Sequence, residues 1–435
     1  MQLTISGDDE NPPEVFLIAY FRYECFDGMF IYINRERSEH MEIKLRPGDT
    51  LWYYSQLFMV PLNLILDSNP SVNPNKLAVS ETIQIPGFES QVHQIKLGET
   101  LWKIAGVRNI SVDSLLLLNQ QLNPNNLKVG DEVLIPNRII KRFVDGKKKY
   151  DYSSLQEDIN RLKKVFPFIT VHTIGNSVLG QNIEEIKIGK GTKKVHINAS
   201  FHANEWITTP IIMTFLNDFL LSLTNATTFR NVRTMPLYQS VDLSIVPMVN
   251  PDGVNLVLNG PPEGQKEKII SINEGSIDFT GWKANIRGVD LNNQFPANWE
   301  IEKERKEPKG PAPRDYPGDT PLSEPEAQVM AELAKKEQFD RLLALHTQGK
   351  EFYWGYEGLE PAESRTLANE FSRVSGYKAI QNVDSHAGYK DWFIQEFRKP
   401  GFTIELGKGI NPLPLSQFAE IYHDTTGIFL ASLYM

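Results

Sequence analysis

The chain has 435 residues, 41% of them hydrophobic and 23% charged, with a formal net charge of -9. It is long enough for two or three domains with buried cores, and its acidic balance argues against nucleic acid as a partner. A single cysteine, Cys25, rules out an internal disulfide and any metal site built from several thiolates, so a metal would have to be held by His, Asp or Glu. The N-terminal MQLTISGDDE is acidic where a secretory signal carries positive charge, and the apolar VFLIAYF is soon broken by Arg22, Glu24 and Asp27. No signal peptide is readable there. No stretch reaches the roughly 18 uninterrupted apolar residues of a membrane span. The expected location is the cytoplasm, including that of a sporulating cell, or the cell wall or spore. Residues 1–41 carry no assignment, and Met41, just ahead of the first regular module, is a candidate start of translation.

The next 96 positions hold an internal repeat, residues 42–87 and 92–137. RPGDTLWYYSQLF is matched by KLGETLWKIAGVR, and Trp52, Asn69, Pro74, Leu77 and Pro86 return as Trp102, Asn119, Pro124, Leu127 and Pro136, always 50 residues on. In each copy a short strand leads into Gly-Asp/Glu-Thr, where the acidic residue or the Thr caps a helix beginning Leu-Trp. A second helix ends near Asn, and an Asn-Pro turn and a closing strand complete a small βααβ unit. Leu51, Trp52, Leu101 and Trp102 are expected in the module cores. The two copies resemble LysM repeats. That resemblance implies binding to N-acetylglucosamine-containing glycans, above all peptidoglycan, with contacts expected from Gly48, Asp49 and Thr50, from Gly98, Glu99 and Thr100, and from the loops after Asn69 and Asn119. Ser80 stands in the first copy where the second has Gly130.

Residues 138–150, including KRFVDGKKK, read as a solvated basic linker. From 151 to 435 buried-strand patterns (VHINAS, VDLSIVPMV, LLALH, GFTIEL) alternate with helices expected to be amphipathic (TPIIMTFLNDFLLSL, SEPEAQVMAELAKKEQF). This is the grammar of an α/β domain with a largely parallel or mixed sheet. EIEKERKEPKGPAPRDYPGD is too charged and proline-rich for either element and reads as a surface loop.

Open α/β sheets collect reactive groups at the carboxyl ends of their strands, where His202, His346 and Glu405 fall. A catalytic zinc commonly takes three protein ligands, often two His and one Glu, and His202, Glu205 and His346 supply that set. His-Glu-x-x-His is absent, so a general base must come from elsewhere. Glu405, after the apolar GFTI, is the candidate to take a proton and return it to the leaving amine. Arg287 is suited to stabilise charge on the attacked carbonyl, although pairing with a carboxylate is the plainer alternative. His196 reads as a core histidine, and His386 as a loop or substrate-side residue.

His-x-x-Glu after a strand, Asn-Pro-Asp-Gly at 250–253, Asn-x-Arg-Gly-Val-Asp-Leu-Asn at 285–292, Gly-x-x-Pro-x-Ser-Glu-Pro-Glu at 318–326, His346 and Thr-Ile-Glu-Leu-Gly at 403–407 together resemble the M14 zinc metallocarboxypeptidases. The resemblance implies a mixed eight-stranded sheet between helices, one zinc ion held by His202, Glu205 and His346, Arg287 polarising the carbonyl and Glu405 as base and acid. Members that trim C-terminal residues follow the Asn of Val-Asp-Leu-Asn with an arginine that clamps the terminal carboxylate. Here the pair is Asn292-Asn293, and an amide lacks the charged bidentate fork. Tyr389 and Tyr353 both compete for the tyrosine that overhangs the site. Two wall-binding repeats fused to a clamp-less peptidase resemble the layout of bacterial γ-D-glutamyl-diamino acid endopeptidases, which cut the bond between γ-D-glutamate and the diamino acid, such as diaminopimelate, of peptidoglycan stem peptides. A carboxypeptidase acting on ordinary peptides, with Arg314 or a lysine as its clamp, and a non-catalytic wall-binding protein are the alternatives.

Overall fold

A computed structural model describes residues 38–435, together with the two-residue strands Cys25–Phe26 and Met29–Phe30. The remainder of the segment ahead of Ser38, on which the expected start at Met41 bears, lies outside the described residues. Strand β1 (Ser38–Lys44) already includes the three residues before Met41, and they pair with Glu89, Ser90 and Gln91.

Each repeat forms two short helices, α1 (Leu51–Phe58) and α2 (Leu62–Ser68) in the first, α3 (Leu101–Arg108) and α4 (Val112–Leu118) in the second. The helix start is set by threonine: Thr50 and Thr100 accept from the backbone N–H of Tyr53 and Lys103 at 3.0 and 3.2 Å. The acidic neighbours do other work. Asp49 receives Arg46 and the Tyr54 hydroxyl, and Glu99 receives His93 and the Lys96 N–H. The modules do not keep separate sheets. The closing strand of the first and the opening strand of the second are one 13-residue strand, β2 (Thr82–Gln94), flanked by β1 and by β3 (Glu132–Arg138). Arg46 adds a fork across the modules to Asp113 of α4, at 2.7 and 2.8 Å.

Leu51 and Leu101 are buried as expected, but Trp52 and Trp102 are 62% and 52% exposed. One helical position turns the side chain by about 100°, so burying the leucine faces the following tryptophan outward.

The large domain holds an eight-stranded mixed sheet. Its centre is four parallel strands, β6 (Lys193–Ala199), β7 (Val241–Val246), β8 (Arg341–Thr347) and β11 (Gly401–Leu406), with β7–β6–β8–β11 adjacent. Antiparallel β5 (Asn182–Ile188) and β4 (Thr170–Asn176) extend one edge, and β9 (Glu351–Tyr353) and β10 (Lys378–Ile380) the other. β8 is buried at every position, as a central parallel strand covered on both faces must be.

After α5 (Tyr152–Val165), helix α6 (Thr208–Thr224), expected to be amphipathic, is buried on nearly every side. The sheet takes one face, and Phe215 packs on Phe429 of the C-terminal helix Phe418–Tyr434 on another. The first repeat and residues 138–150 cover the rest. Those thirteen residues are no solvated linker: Val144 and Tyr150 are buried, Phe143 and Val144 donate backbone N–H groups to Asn217, and Arg142 pairs with Asp218. The basic composition misleads because its charges point out while Phe143, Val144 and Tyr150 point in. The core of the first repeat (Tyr54, Phe58, Leu64, Ile65) is continuous with that of the large domain, whereas the second keeps a small core of its own around Leu101, Leu115 and Val133.

Candidate active site

The site lies at the carboxyl ends of the parallel strands. His202 follows β6 by three residues, a short 3-10 turn Ala203–Glu205 sets Glu205 back beside it, and His346 is in β8, in register with Glu405 of β11. These four residues therefore converge by topology. His202, Glu205 and His346 offer donor atoms all within 4.8 Å of one another. His202 Nδ1 is 2.9 Å from Glu205 Oε1, His346 Nδ1 is 3.0 Å from Glu205 Oε2, and the two Nδ1 atoms are 3.2 Å apart.

Asp290 Oδ1 lies 3.1 Å from His202 Nε2. A carboxylate there holds the proton on Nε2 and leaves the Nδ1 lone pair facing inward, the outer-shell arrangement usual for metal-ligating histidine. Two imidazole nitrogens and a carboxylate, all buried and converging, form a donor set that a cation satisfies and neutral packing does not. The residues fit zinc, whose catalytic sites take His2Glu. Glu205 is steadied by the Thr347 N–H at 3.1 Å and by Lys283 Nζ at 3.2 Å.

Glu405 faces the cleft and is partly open to it. Burial first, and the neighbouring Glu205 carboxylate second, push its carboxyl up to about 8. Burial lowers His346, while Glu205 is held well below the usual carboxylate range because His202 and Lys283 outweigh its burial.

The cation expected at 287 is elsewhere. Arg287 is half exposed and reaches Glu324 at 3.5 Å, whereas Lys283, largely but not fully buried, is the cation against the trio. Just past Lys283 the chain reverses at Asn285–Gly288, with Arg287 inside the turn, where the Gly288 N–H donates to the Asn285 carbonyl and Gly288 has φ +79°. The two cations point apart. Nothing in the linear spacing of WKANIRG tells which one turns inward.

Tyr389 is not a substrate contact. It is fully buried among Phe201, Phe295 and Trp392, and its hydroxyl donates to the Met330 carbonyl. Tyr353 donates to Glu351 of its own strand, β9. Asn292 accepts the Tyr389 N–H and so anchors a helix start, while the side-chain amide of the nearly buried Asn293 holds no hydrogen bond to the described residues. His196 is buried and stacked on Phe339, as expected. The charged stretch read as a loop opens with a helix, Trp299–Arg305, anchored by buried Trp299 and Glu302. Its remainder runs beside the site: the Pro313 carbonyl accepts the N–H groups of Lys283 and Ala284, and the Asp315 N–H donates to Asp290.

In the repeats, Gly48 and Gly98 take φ of +85° and +77° with open space around them. The first repeat's Gly48–Thr50 loop sits beside the Arg46–Asp113 pair and so against the second repeat; Glu99 and Thr100 make only contacts within their own module.

This fold and a His-Glu-His trio at the carboxyl edge of its sheet define a metal-dependent peptidase. The zinc carboxypeptidase (peptidase M14) model matches residues 155–426, and the LysM model matches 43–86 and 93–136. The chain belongs to the zinc carboxypeptidase family. It is 62% identical over 397 residues to gamma-D-glutamyl-L-diamino acid endopeptidase 1 of Lysinibacillus sphaericus, covering 91% of this chain and 100% of that protein. It is 49% identical to the uncharacterized protein YqgT of Bacillus subtilis, over 67% of this chain and 79% of that one. Among solved structures, bovine thrombin-activatable fibrinolysis inhibitor shares the fold, with a TM-score of 0.52 at 17% identity over 66% of this chain and 97% of that one.

Proposed function

We propose that this metallopeptidase hydrolyses the γ-D-glutamyl-diamino acid bond of peptidoglycan stem peptides and that its LysM repeats hold it on the glycan. The observation that carries the reading is an intact trio with Glu405 and the Lys283 cation beside it, in a chain whose clamp position is the uncharged Asn293. A site built to grip a C-terminal carboxylate would place a charged fork there. The identity to the Lysinibacillus endopeptidase across its full length supports the choice of bond.

His202, Glu205 and His346 would hold the zinc ion, with Asp290 orienting the His202 ring. When bound there, zinc supplies a Lewis acid. Glu405 takes a proton from the attacking water and returns it to the leaving amine, a task for which a carboxyl raised towards neutrality is suited. Lys283, pre-placed in a site shielded from water, meets the negative charge that grows on the attacked carbonyl oxygen. Asn293 offers hydrogen bonds without charge, which tolerates a chain that continues past the cut. The exposed Trp52 and Trp102 and the Gly98–Thr100 loop are the surfaces offered to sugar.

Mass spectrometry of purified muropeptides digested with and without a zinc chelator tests bond and metal together. The expected products end in γ-D-glutamate and vanish with the chelator. Release of only C-terminal D-alanine would overturn the bond assignment.

A further inference from the structure

A D-glutamyl residue joined through its side-chain carboxyl keeps its α-carboxylate, an anion that an ordinary peptide does not present next to the scissile carbonyl. This substrate carboxylate lies four bonds of about 1.5 Å from the attacked carbon, so about 5 Å away when extended. Two backbone segments joined by N–H to carbonyl hydrogen bonds run at a similar spacing, about 5 Å.

The segment hydrogen-bonded beside Lys283 is the proline-rich one, and the residue after Pro313 is Arg314. The Pro313 carbonyl accepts the Lys283 and Ala284 N–H groups at 2.8 and 3.0 Å, and the Asp290 N–H donates to Tyr316 at 2.8 Å. The segment is pinned to the metal-site residues as well, since the Asp315 N–H donates to Asp290 Oδ2 at 3.2 Å. Arg314 is thus fixed at the rim of the site, and its charge is felt at Lys283. Its Nε is spent on Asp315 at 2.8 Å, and Asp315 is shared with Lys306 at 3.1 Å. The two terminal nitrogens of Arg314 hold no hydrogen bond to the described residues, and its side chain is 56% exposed. Lys306 is also paired with Glu302 at 3.3 Å, so what Arg314 offers is its unpaired terminal nitrogens, a planar fork suited to a second carboxylate.

Resting on the γ-D-glutamyl reading above, we propose that Arg314 is a specificity residue that binds the free α-carboxylate of the substrate's D-glutamyl residue and so favours unamidated stem peptides over those carrying D-isoglutamine.

The full-length enzyme is assayed on L-alanyl-γ-D-glutamyl-diaminopimelic acid and on the same peptide with the D-glutamyl α-carboxylate converted to carboxamide. The wild type is expected to prefer the carboxylate on the order of 10- to 100-fold in kcat/KM, chiefly through KM. Arg314→Gln brings that ratio towards one, and Arg314→Lys, which keeps the charge and loses the fork, leaves it in between. A purely structural role would slow both peptides alike and leave the ratio unmoved, which would overturn the assignment. So would equal cleavage of both peptides by the wild type. Cleavage of neither would overturn the γ-D-glutamyl reading and this inference with it, whereas equal cleavage overturns the inference alone.

Discussion

The two ends of the parallel strands are built on opposite principles. At the carboxyl ends, His202, Glu205, His346, Lys283, Asp290 and Glu405 crowd ionisable groups into a buried space. At the amino ends the sheet meets the first repeat: Tyr238, just before β7, donates to Asp67 of α2, and Lys190, just before β6, pairs with the same carboxylate. Arg138 lies over the Phe88 ring and donates to the Thr224 carbonyl at the far end of α6. Here the polar groups are paired and the apolar surface is continuous with the main core. Helix α6 starts next to Glu205 and runs 17 residues to Thr224, about 25 Å at 1.5 Å per residue. One end accepts electrostatic cost for chemistry, while the other fixes where the LysM repeats stand. On the function proposed above, a repeat docked at the far end would steady the enzyme on the glycan and leave the cleft free for a peptide reaching it from the other side.

The largest effect is expected at the catalytic end. Glu405→Gln removes the proton carrier without changing shape, and kcat on muropeptides should fall about 10²- to 10⁴-fold. The melting temperature should hold or rise, because a carboxyl whose charged form is disfavoured by its surroundings is replaced by a neutral amide. A parallel loss of stability would mean that Glu405 is structural.

Lys283→Met and Arg287→Met sharpen the same end. Loss of a preorganised donor costs about 10²- to 10³-fold in kcat, expected for Lys283 alone. The half-exposed Arg287–Glu324 pair contributes about 1 kcal/mol or less to stability, so kcat should barely move. Equal losses in the two variants would return Arg287 to the site.

How far the sequence could be read follows from this contrast. His202, His346 and Glu405 were legible because each falls at or near a strand end, with Glu205 three residues on from His202, and parallel strands bring such ends together whatever lies between. Lys283 was not, because its direction depends on a reversal at Gly288. Tyr389 was misplaced because a tyrosine at a helix start reads alike whether it overhangs a cleft or, as here, fills an aromatic core. The docking of the first repeat was hidden too. The repeats match so well at their helix starts and turns that their differences, which decide what each touches, look like noise.

Those differences predict separate unfolding behaviour. Leu64 and Leu115 are both fully buried, the first in the core shared with the large domain and the second in the small core of repeat two. Replacing either by alanine costs about 2–5 kcal/mol. Leu64→Ala should lower the main thermal transition. Leu115→Ala should loosen the second repeat only, seen as faster amide exchange over 95–135 with peptidase activity on soluble stem peptides kept. A single shared transition lowered equally by both would show that the repeats and the sheet unfold as one unit.

The smallest change tests the docking itself. Position 87 is Gly in the first repeat, and its counterpart 50 residues on is Asn137. Gly87 has φ +81°, and a Cβ there would lie 2.7 Å from Thr224 Cβ, a branched carbon near the end of α6 that has no room to retreat. Gly87→Asn makes the first repeat match the second at this point. Asparagine tolerates positive φ better than most residues, so the cost should come mainly from the contact, about 1–3 kcal/mol as for other overpacked sites. Limited proteolysis should then cut between 138 and 150, where the packed segment loses its cover. Turnover of soluble stem peptides should persist, because Thr224 lies a full helix away from Glu205. If Gly87→Asn instead abolished turnover while the protein stayed folded, the two ends of the sheet would be coupled, and the separation between anchoring and chemistry drawn from α6 would not hold.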